Sequence, residues 1–250
     1  MINFIRKDFY GYEDLLQLVT LLRAPGGCPW DAEQTHLSIR RNFLEEAYEA
    51  CEAFDTDNVE LMREELGDVL LQVLFHTDIE REAGRFTIDD VCDKVCKKLI
   101  FRHPHVFGES ESADWEQMKR LEKGQSSVCE TLDGVARSLP SLWRSEKILK
   151  KSAKAGVQES LTEQLDILEQ TVSTLRNASA EDAETALGDV LFAAVGAATH
   201  LQADPEQTLH DACERFIRRF GAMESAAAAQ GLALDQLSRE QLLTLFNGQE

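Results

Sequence analysis

The segment 42–72 constrains the fold more than any other, because apolar and acidic residues recur there with helical spacing on both sides of a short polar turn. Residues three apart on a helix share a face, so Glu46 projects with Glu49, and Glu65 projects with Asp68. If the two helices pack antiparallel, the four carboxylates converge on one small volume. Like charges held so close repel one another, so the arrangement requires a cation. A site made only of oxygen atoms favours Mg²⁺, Mn²⁺ or Ca²⁺ over zinc.

The composition indicates a globular protein and argues against two classes of partner. The chain has 250 residues, of which 43% are hydrophobic, and a formal net charge of −19. Such an acidic chain is unsuited to a basic nucleic-acid groove or to an anionic membrane surface. Residues 1–10 are too polar for a signal peptide, and no apolar run approaches the roughly 18 residues of a membrane span. We therefore expect the protein to bind neither nucleic acid nor a membrane. The six cysteines are scattered and are interpreted as reduced thiols, so we expect a cytoplasmic protein.

Helical periodicity recurs along the chain and predicts an all-α fold. Asp57 and Glu60 are predicted to form the capping pair of the third helix, and Thr87 to cap the fourth. Gly84 is expected to end the third helix and Pro104 the fourth. The predicted helices of the first part are 13–23, about 38–54, about 57–83 and about 88–103, with a loop at 28–36.

The chain is predicted to consist of two helical units, at residues 1–107 and 141–250, joined by a connector at 108–140. Within the connector we expect a short helix at 112–123 and a loop at 124–134. The second unit is predicted to contain helices at 141–151, 161–176, 181–201 and 205–229, with a tail helix near 239–246.

A weak internal repeat relates the two units. The run 65–71 resembles 186–192, and 43–46 resembles 167–170, in the same order and with similar spacing. The apolar positions are retained, but most of the acids are lost. Packing therefore needs the apolar residues and does not need the acids, which favours a functional role for the acids of the first unit. In the second unit, Glu169 and Asp189 stand at the positions of Glu45 and Asp68, so two acids are kept. The positions of Glu46, Glu49 and Glu65 are taken by Gln170, Ser173 and Ala186.

The acidic residues form a pattern of Glu45, Glu46 and Glu49 followed by Glu65 and Asp68. This pattern resembles the EExxE…ExxD signature of the MazG family of nucleoside triphosphate pyrophosphohydrolases. The segments 27–31 and 102–107 also resemble that family, and the resemblance covers nearly the whole chain. It implies an all-α fold and a homodimer whose helices complete four-helix bundles. It also implies Mg²⁺-dependent cleavage of a nucleoside triphosphate to a monophosphate and pyrophosphate. Catalysis is expected in the first unit, and the degenerate second unit is expected to be structural or dimerising.

The acids are assigned separate tasks. Glu46, Glu49, Glu65 and Asp68 are predicted to bind Mg²⁺, with Mn²⁺ as an alternative, and the alternative interpretation is a solvated acidic face. Glu45 projects about 100° around the helix from Glu46. It either orients water or a phosphate-binding cation, or acts as the general base.

Two further groups are predicted to bind the substrate. Lys98 and Arg102 lie one helical turn apart, and the resemblance implies phosphate-binding cations there; the alternative is a basic helix end that complements the dipole. Trp30 can stack a nucleobase while Asp31 and Gln34 read its edge, or Trp30 can close the top of the bundle.

Two functions follow from these assignments. The first is a Mg²⁺-dependent pyrophosphohydrolase that clears noncanonical or excess nucleotides. The alternative is a non-catalytic helical dimer that binds a nucleotide or a protein partner, with acids that serve solubility or ion binding. Loss of the acids in only one repeat favours the enzyme.

Overall fold

A computed structural model describes residues 4–108, 118, 124 and 127–248 of the chain, and most of these residues lie in helices. These residues contain no strand, so the predicted all-α fold is confirmed. The chain divides into two compact units, Met1–Met118 and Lys119–Glu250, and each is described by itself. The predicted limits 1–107, 108–140 and 141–250 stay a prediction.

The first unit is built on a helical hairpin. Its helices are α1 (Tyr12–Arg23), α2 (Pro29–Glu33), α3 (Arg40–Asp55), α4 (Val59–Glu82), α5 (Ile88–Arg102) and α6 (Pro104–Phe107). Residues 56–58 reverse the chain, so that α3 packs along α4, and α1 packs against α4 as well. Four buried apolar side chains form the core of this unit: Val19, Ile39, Leu74 and Phe75.

The turn between α3 and α4 corrects one predicted cap. Asp57 adopts the left-handed backbone conformation, with φ of 51°, and Asn58 is the residue that caps α4. The Asn58 side chain accepts a hydrogen bond from the backbone N–H of Leu61 at 3.2 Å. The prediction of an Asp57–Glu60 capping pair was therefore wrong, because Asp57 is used to reverse the chain and lies one residue too early.

Other predicted helix ends agree with the structure. Thr87 and Asp90 form a capping box at the start of α5. Gly84, with φ of +67°, follows the end of α4, and α5 ends before Pro104. The predicted loop at 28–36 was wrong over α2, where Pro29 occupies the first helical turn and its fixed φ favours a helix start.

The second unit repeats the hairpin. Its helices are α7 (Val128–Asp133), α8 (Ser141–Lys154), α9 (Leu161–Asn177), α10 (Ala183–His200), α11 (Pro205–Ala229) and α12 (Arg239–Asn247), with a 3₁₀ turn at Leu234–Gln236. Helix α9 packs along α10. The buried Gln164 side chain lies against Gly196, where a Cβ would be only 2.4 Å from its Nε2 atom. A side chain at position 196 would therefore displace Gln164.

The connector contains one helix that was not predicted. Residues 128–133 form α7, although a loop was predicted at 124–134, because Ser127 and Glu130 make a capping box at its start. The helix predicted at 112–123 lies outside the described residues except for Met118, which is helical.

No single helix in the described parts of the chain is long and apolar enough to cross a membrane. Helices α10 and α11 meet that test only as a pair, bent by 104° at their junction.

Candidate functional site

Three of the four predicted metal ligands come together between α3 and α4. One carboxylate oxygen from each of Glu46, Glu49 and Glu65 lies within 4.8 Å of the other two. Glu46 and Glu49 are three residues apart on α3, while Glu65 reaches them from α4, so the hairpin brings the groups together as the helical spacing predicted. We call these three side chains the acidic cluster.

The acidic cluster carries unfavourable electrostatics. Burial raises the pKa of the Glu46 carboxyl, and the charges of Asp68, Glu49 and Glu65 raise it further. Burial also raises the pKa of Glu65, which is only 9% exposed, with added repulsion from Glu49, Glu64 and Asp68. Asp68 lies outside the set of mutually close oxygens, but its negative charge acts on both. A divalent cation would offset this repulsion.

The chemistry of the donors fits a hard cation. The cluster offers only carboxylate oxygens, with neither sulfur nor imidazole, which is the donor set that Mg²⁺, Mn²⁺ and Ca²⁺ accept. It is also the one group of this kind among the residues that the structure describes. In the second unit, the buried Ala186 takes the position that matches Glu65. The α9–α10 hairpin therefore offers no equivalent site.

Glu45 is exposed on α3 and is not part of the acidic cluster. Its neighbour in sequence, Glu46, is half-buried between the two helices. The two side chains therefore differ in environment, as expected for residues about 100° apart around a helix.

The predicted base-binding residues lie on α2 and just after it, in a stretch that we call the Trp30 segment (residues 29–34). Trp30 is 61% exposed, and its carbonyl accepts a hydrogen bond from Gln34 Nε2 at 2.7 Å. Gln34 Oε1 accepts a second bond from the Ser38 hydroxyl at 2.8 Å. Asp31 is half-buried. The exposed indole is thus available for stacking, while the Gln34 amide holds the segment in shape.

The two predicted phosphate-binding cations lie on α5. Lys98 is half-buried and Arg102 is buried, although both are charged. Lys97 is instead exposed and pairs with Asp93 at 2.6 Å, as expected for a surface lysine. The His103 ring hydrogen-bonds to the Leu99 carbonyl at 2.7 Å, a contact at the end of α5.

A buried ionic group at the junction of α1, α2 and α4 was missed. Arg23 and Asp78 are almost fully buried, and Arg23 also pairs with Glu82 at 2.7 Å. The available signal for Arg23 was a single cation at the end of an apolar helix, just before Pro25. The sequence gave no signal for Asp78 and Glu82, because a run of charged residues at a helix end is typical of a solvated surface.

A second missed group surrounds Glu80. Its carboxylate pairs with Arg85, with 2.5 Å between Nε and Oε2, and also with the His36 ring. The Arg85 hydrogen bond and then the His36 contact lower the pKa of Glu80 to about 2. The His36 and His76 Nδ1 atoms are 2.7 Å apart, and burial followed by the His36 charge lowers the pKa of His76. These contacts attach His36, which lies two residues after the Trp30 segment, to α4.

Known proteins resemble this chain over its length. A model of the MazG nucleotide pyrophosphohydrolase domain matches residues 34–107. The nucleoside triphosphate pyrophosphohydrolase/pyrophosphatase MazG of Thermotoga maritima is 39% identical over 236 residues, which cover 92% of each chain. The nucleoside triphosphate pyrophosphohydrolase of Escherichia coli is 38% identical over 244 residues, 90% of this chain and 92% of that one. Its counterpart from Mycobacterium tuberculosis is 44% identical over 156 residues, 59% of this chain and 46% of the relative.

The matches agree with the geometry. The region that fits the domain model contains all three members of the acidic cluster. The alignments with the relatives from Thermotoga maritima and Escherichia coli cover 92% and 90% of this chain and therefore extend over both helical units. The resemblance drawn from the acidic motif is confirmed: this chain belongs to the MazG family of nucleotide pyrophosphohydrolase enzymes.

Proposed function

We propose that this protein hydrolyses nucleoside triphosphates to nucleoside monophosphates and pyrophosphate at the acidic cluster of the first unit. The observation that carries the proposal is the convergence of Glu46, Glu49 and Glu65 within 4.8 Å, inside the region that fits the family's domain model. The relatives from Thermotoga maritima and Escherichia coli carry the name of the same activity. In this reaction water attacks the α-phosphorus, the bond to the bridging oxygen breaks, and pyrophosphate leaves.

The proposed cofactor is Mg²⁺, with Mn²⁺ as an alternative, held by the acidic cluster together with Asp68. The all-carboxylate donor set and the raised pKa values of Glu46 and Glu65 support a bound cation. When bound, such a cation neutralises charge on the phosphate oxygens and lowers the pKa of a coordinated water.

The remaining assignments concern the substrate and the attacking water. Glu45 is exposed beside the cluster and is proposed to orient that water or accept its proton. Lys98 and Arg102 are proposed to bind phosphate oxygens, for which the planar fork of an arginine is well suited. In the Trp30 segment, Trp30 is proposed to stack the base, while Asp31 and Gln34 are proposed to read its edge.

The second unit is proposed to be structural or dimerising. The hairpin of the first unit leaves large apolar side chains exposed on α3 and α4, among them Leu44, Tyr48, Leu66 and Leu70. The α9–α10 hairpin leaves Leu165, Leu187 and Leu191 exposed in the same way. Exposed apolar surface of this kind favours burial against a second copy of the chain, which would complete four-helix bundles in a homodimer.

We propose that the reaction takes place in the cytoplasm; the six free cysteines support this, because thiols are ordinarily reduced there. A broad preference among nucleotides is expected if base recognition depends on stacking and a few hydrogen bonds. The physiological task that fits such an activity is the removal of noncanonical or excess nucleotides.

The direct test is pyrophosphate release from a panel of nucleoside triphosphates, with and without Mg²⁺. Glu49→Gln and Asp68→Asn each remove one negative charge near the cation and should lower turnover about a hundredfold or more, since metal stabilisation of transition-state charge amounts to several kcal/mol. Asp189→Asn, at the matching position of the second unit, is the control and should leave turnover nearly unchanged.

Three outcomes would contradict the proposal. Unchanged turnover in Glu49→Gln and Asp68→Asn would disprove the site assignment. Loss of activity in Asp189→Asn would show that the division of labour between the units is wrong. Wild-type protein that binds nucleotide and releases no pyrophosphate would favour the non-catalytic alternative.

A further inference from the structure

The side chain of Arg23 is 3% exposed at the junction of three helices of the first unit. We propose that Arg23 is a positioning residue: its guanidinium fixes the Trp30 segment against α1 and α4, so that the nucleobase meets a preformed surface. The inference rests on the proposed function, in which the Trp30 segment contacts the substrate. Arg23 itself touches neither the acidic cluster nor, in this proposal, the nucleotide.

One side of the guanidinium binds the end of α2. The NH1 atom donates to the Asp31 carbonyl at 2.6 Å and lies 3.5 Å from the Gln34 carbonyl. Carbonyl groups in the last turn of a helix lack partners within that helix, and a cation there is favoured by the helix dipole. Helix α2 has only five residues and no basic residue in its last turn. The Asp31 carbonyl also accepts a backbone hydrogen bond from the Gln34 N–H at 3.3 Å, so Arg23 adds a charged donor to a helix end that has no basic residue of its own.

The other side of the guanidinium is held by α4. NH2 donates to Glu82 at 2.7 Å, and Nε lies 3.4 Å from Oδ2 of Asp78, whose side chain is 1% exposed. Asp78 is itself oriented by the Thr20 hydroxyl at 2.8 Å and by Arg81 at 2.7 Å. A planar guanidinium offers donors in several fixed directions, which a lysine ammonium does not. One side chain thus sets the position of the Trp30 segment relative to α1 and α4.

The second unit keeps the helices and lacks this arrangement. Residues 155–160, which follow α8, contain no helix equivalent to α2. The packing of α8 against α10 therefore does not require the ionic group. The group accompanies the Trp30 segment and the acidic cluster, as expected if it serves the substrate site. Helix α8 ends at the exposed Lys154, whereas α1 ends at the buried Arg23. If Gly67 is aligned with Gly188, the positions of Asp78 and Glu82 are taken by Thr199 and Ala203, which are not acidic.

The test is a kinetic double-mutant cycle between Arg23 and Trp30. Arg23→Lys keeps the charge and loses the fork, so we expect KM for the triphosphate to rise about tenfold with kcat within about twofold, the pattern of lost substrate binding. Trp30→Ala should act in the same direction. In the Trp30→Ala background, Arg23→Lys should add nothing further to KM, because both changes act through the same segment.

The matched control is Arg81→Lys. Arg81 pairs with the same buried Asp78 but is 43% exposed and makes no hydrogen bond or ion pair with the Trp30 segment. It should leave KM within about twofold of wild type, whereas a role limited to the stability of the ionic group would move both arginine variants alike. Circular dichroism melts establish that each variant is folded before kinetics are compared.

Three results would overturn the inference: an unchanged KM in folded Arg23→Lys, a fall in kcat without a rise in KM, or an undiminished effect of Arg23→Lys when Trp30 is already removed. If Arg23→Lys does not fold, Glu82→Gln replaces it, because Glu82 is 38% exposed and its loss leaves Arg23 paired with Asp78. A KM unchanged in that variant would likewise overturn the inference. Failure of the proposed function is distinct, since it would appear as wild-type protein that releases no pyrophosphate.

Discussion

The hairpins α3–α4 and α9–α10 have the same architecture and different polar contents. In the first, Glu65 is buried beside Glu46 and Glu49, and burial raises its pKa. In the second, Ala186 is buried at the matching position. A buried carboxylate disfavours folding unless a cation or hydrogen bonds compensate it. The second hairpin shows that the scaffold packs without this carboxylate, so its presence in the first indicates a chemical task.

The contrast extends to the far end of each hairpin. Near the end of α4, Asp78 binds Arg23, and Glu80 binds His36 and Arg85. In the second unit the buried Gln164 donates from Nε2 to the Ala193 carbonyl at 3.2 Å, and the one buried charge among its described residues is Glu146 on α8, which pairs with Lys150. Buried charge is thus more abundant in the unit that carries the proposed substrate site, where buried acids lie near both ends of α4.

The largest difference that we expect between the two hairpins is stabilisation of the fold by Mg²⁺. A cation that binds the native acidic cluster stabilises the fold by about 2.7 kcal/mol when its concentration is a hundred times Kd. We expect thermal unfolding of the wild type to shift upward with Mg²⁺. Glu65→Gln should lose most of the shift, and Asp189→Asn, in the second unit, should retain it.

Calorimetric melts across a Mg²⁺ titration, with EDTA as the reference, measure this effect. An equal shift in wild type and Glu65→Gln would mean that the cation binds elsewhere. A shift abolished by Asp189→Asn would mean that the second hairpin also binds metal, and the comparison between the two units would fail.

The acidic site was predictable from sequence because its residues are close along the helices. Glu46 and Glu49 share a face by their spacing alone, and the short turn at 56–58 brings Glu65 to them. The all-α fold and the unit that bears the acids follow from the same local periodicity. The limits of α2 and the cap at Asn58 were missed because one or two residues of turn geometry decide them.

The ionic groups were not predictable for a different reason. Arg23 and Glu82 are 59 residues apart, and His36 and Glu80 are 44 apart, so no local spacing relates them. Acids near a helix end usually face solvent, and only the packing of α1 on α4 turns Asp78 inward. Long-range pairing of this kind depends on the tertiary fold, which helical periodicity does not specify.

The next effect is a pH dependence that belongs to the first unit. Arg85 and His36 lower the pKa of Glu80 to about 2, below its ordinary value of 4.5. A carboxyl whose native pKa is lowered contributes stability above pH 4.5, and that contribution is lost as the pH falls toward 2. Urea unfolding between pH 7 and pH 3 should therefore show a shallower acid loss for Glu80→Gln than for wild type.

The control for this prediction lies in the second hairpin. Leu201 occupies the position that matches Glu80 and does not titrate, so Leu201→Gln should leave the acid dependence as steep as in wild type. Identical pH slopes for wild type and Glu80→Gln would show that the Arg85 and His36 contacts do not favour the ionised carboxylate.

The smallest effect concerns how each hairpin begins its second helix. Asn58 caps α4 through a side-chain hydrogen bond to the Leu61 N–H, whereas Asp182, at the start of α10, makes no such cap bond. Asn58→Ala should lower the free energy of unfolding by about 1 kcal/mol, the usual cost of a lost cap. Asp182→Ala should cost less than about 0.5 kcal/mol, as for other surface changes. Equal losses in urea unfolding would mean that the caps do not distinguish the hairpins, and that the difference between them is confined to their buried charges.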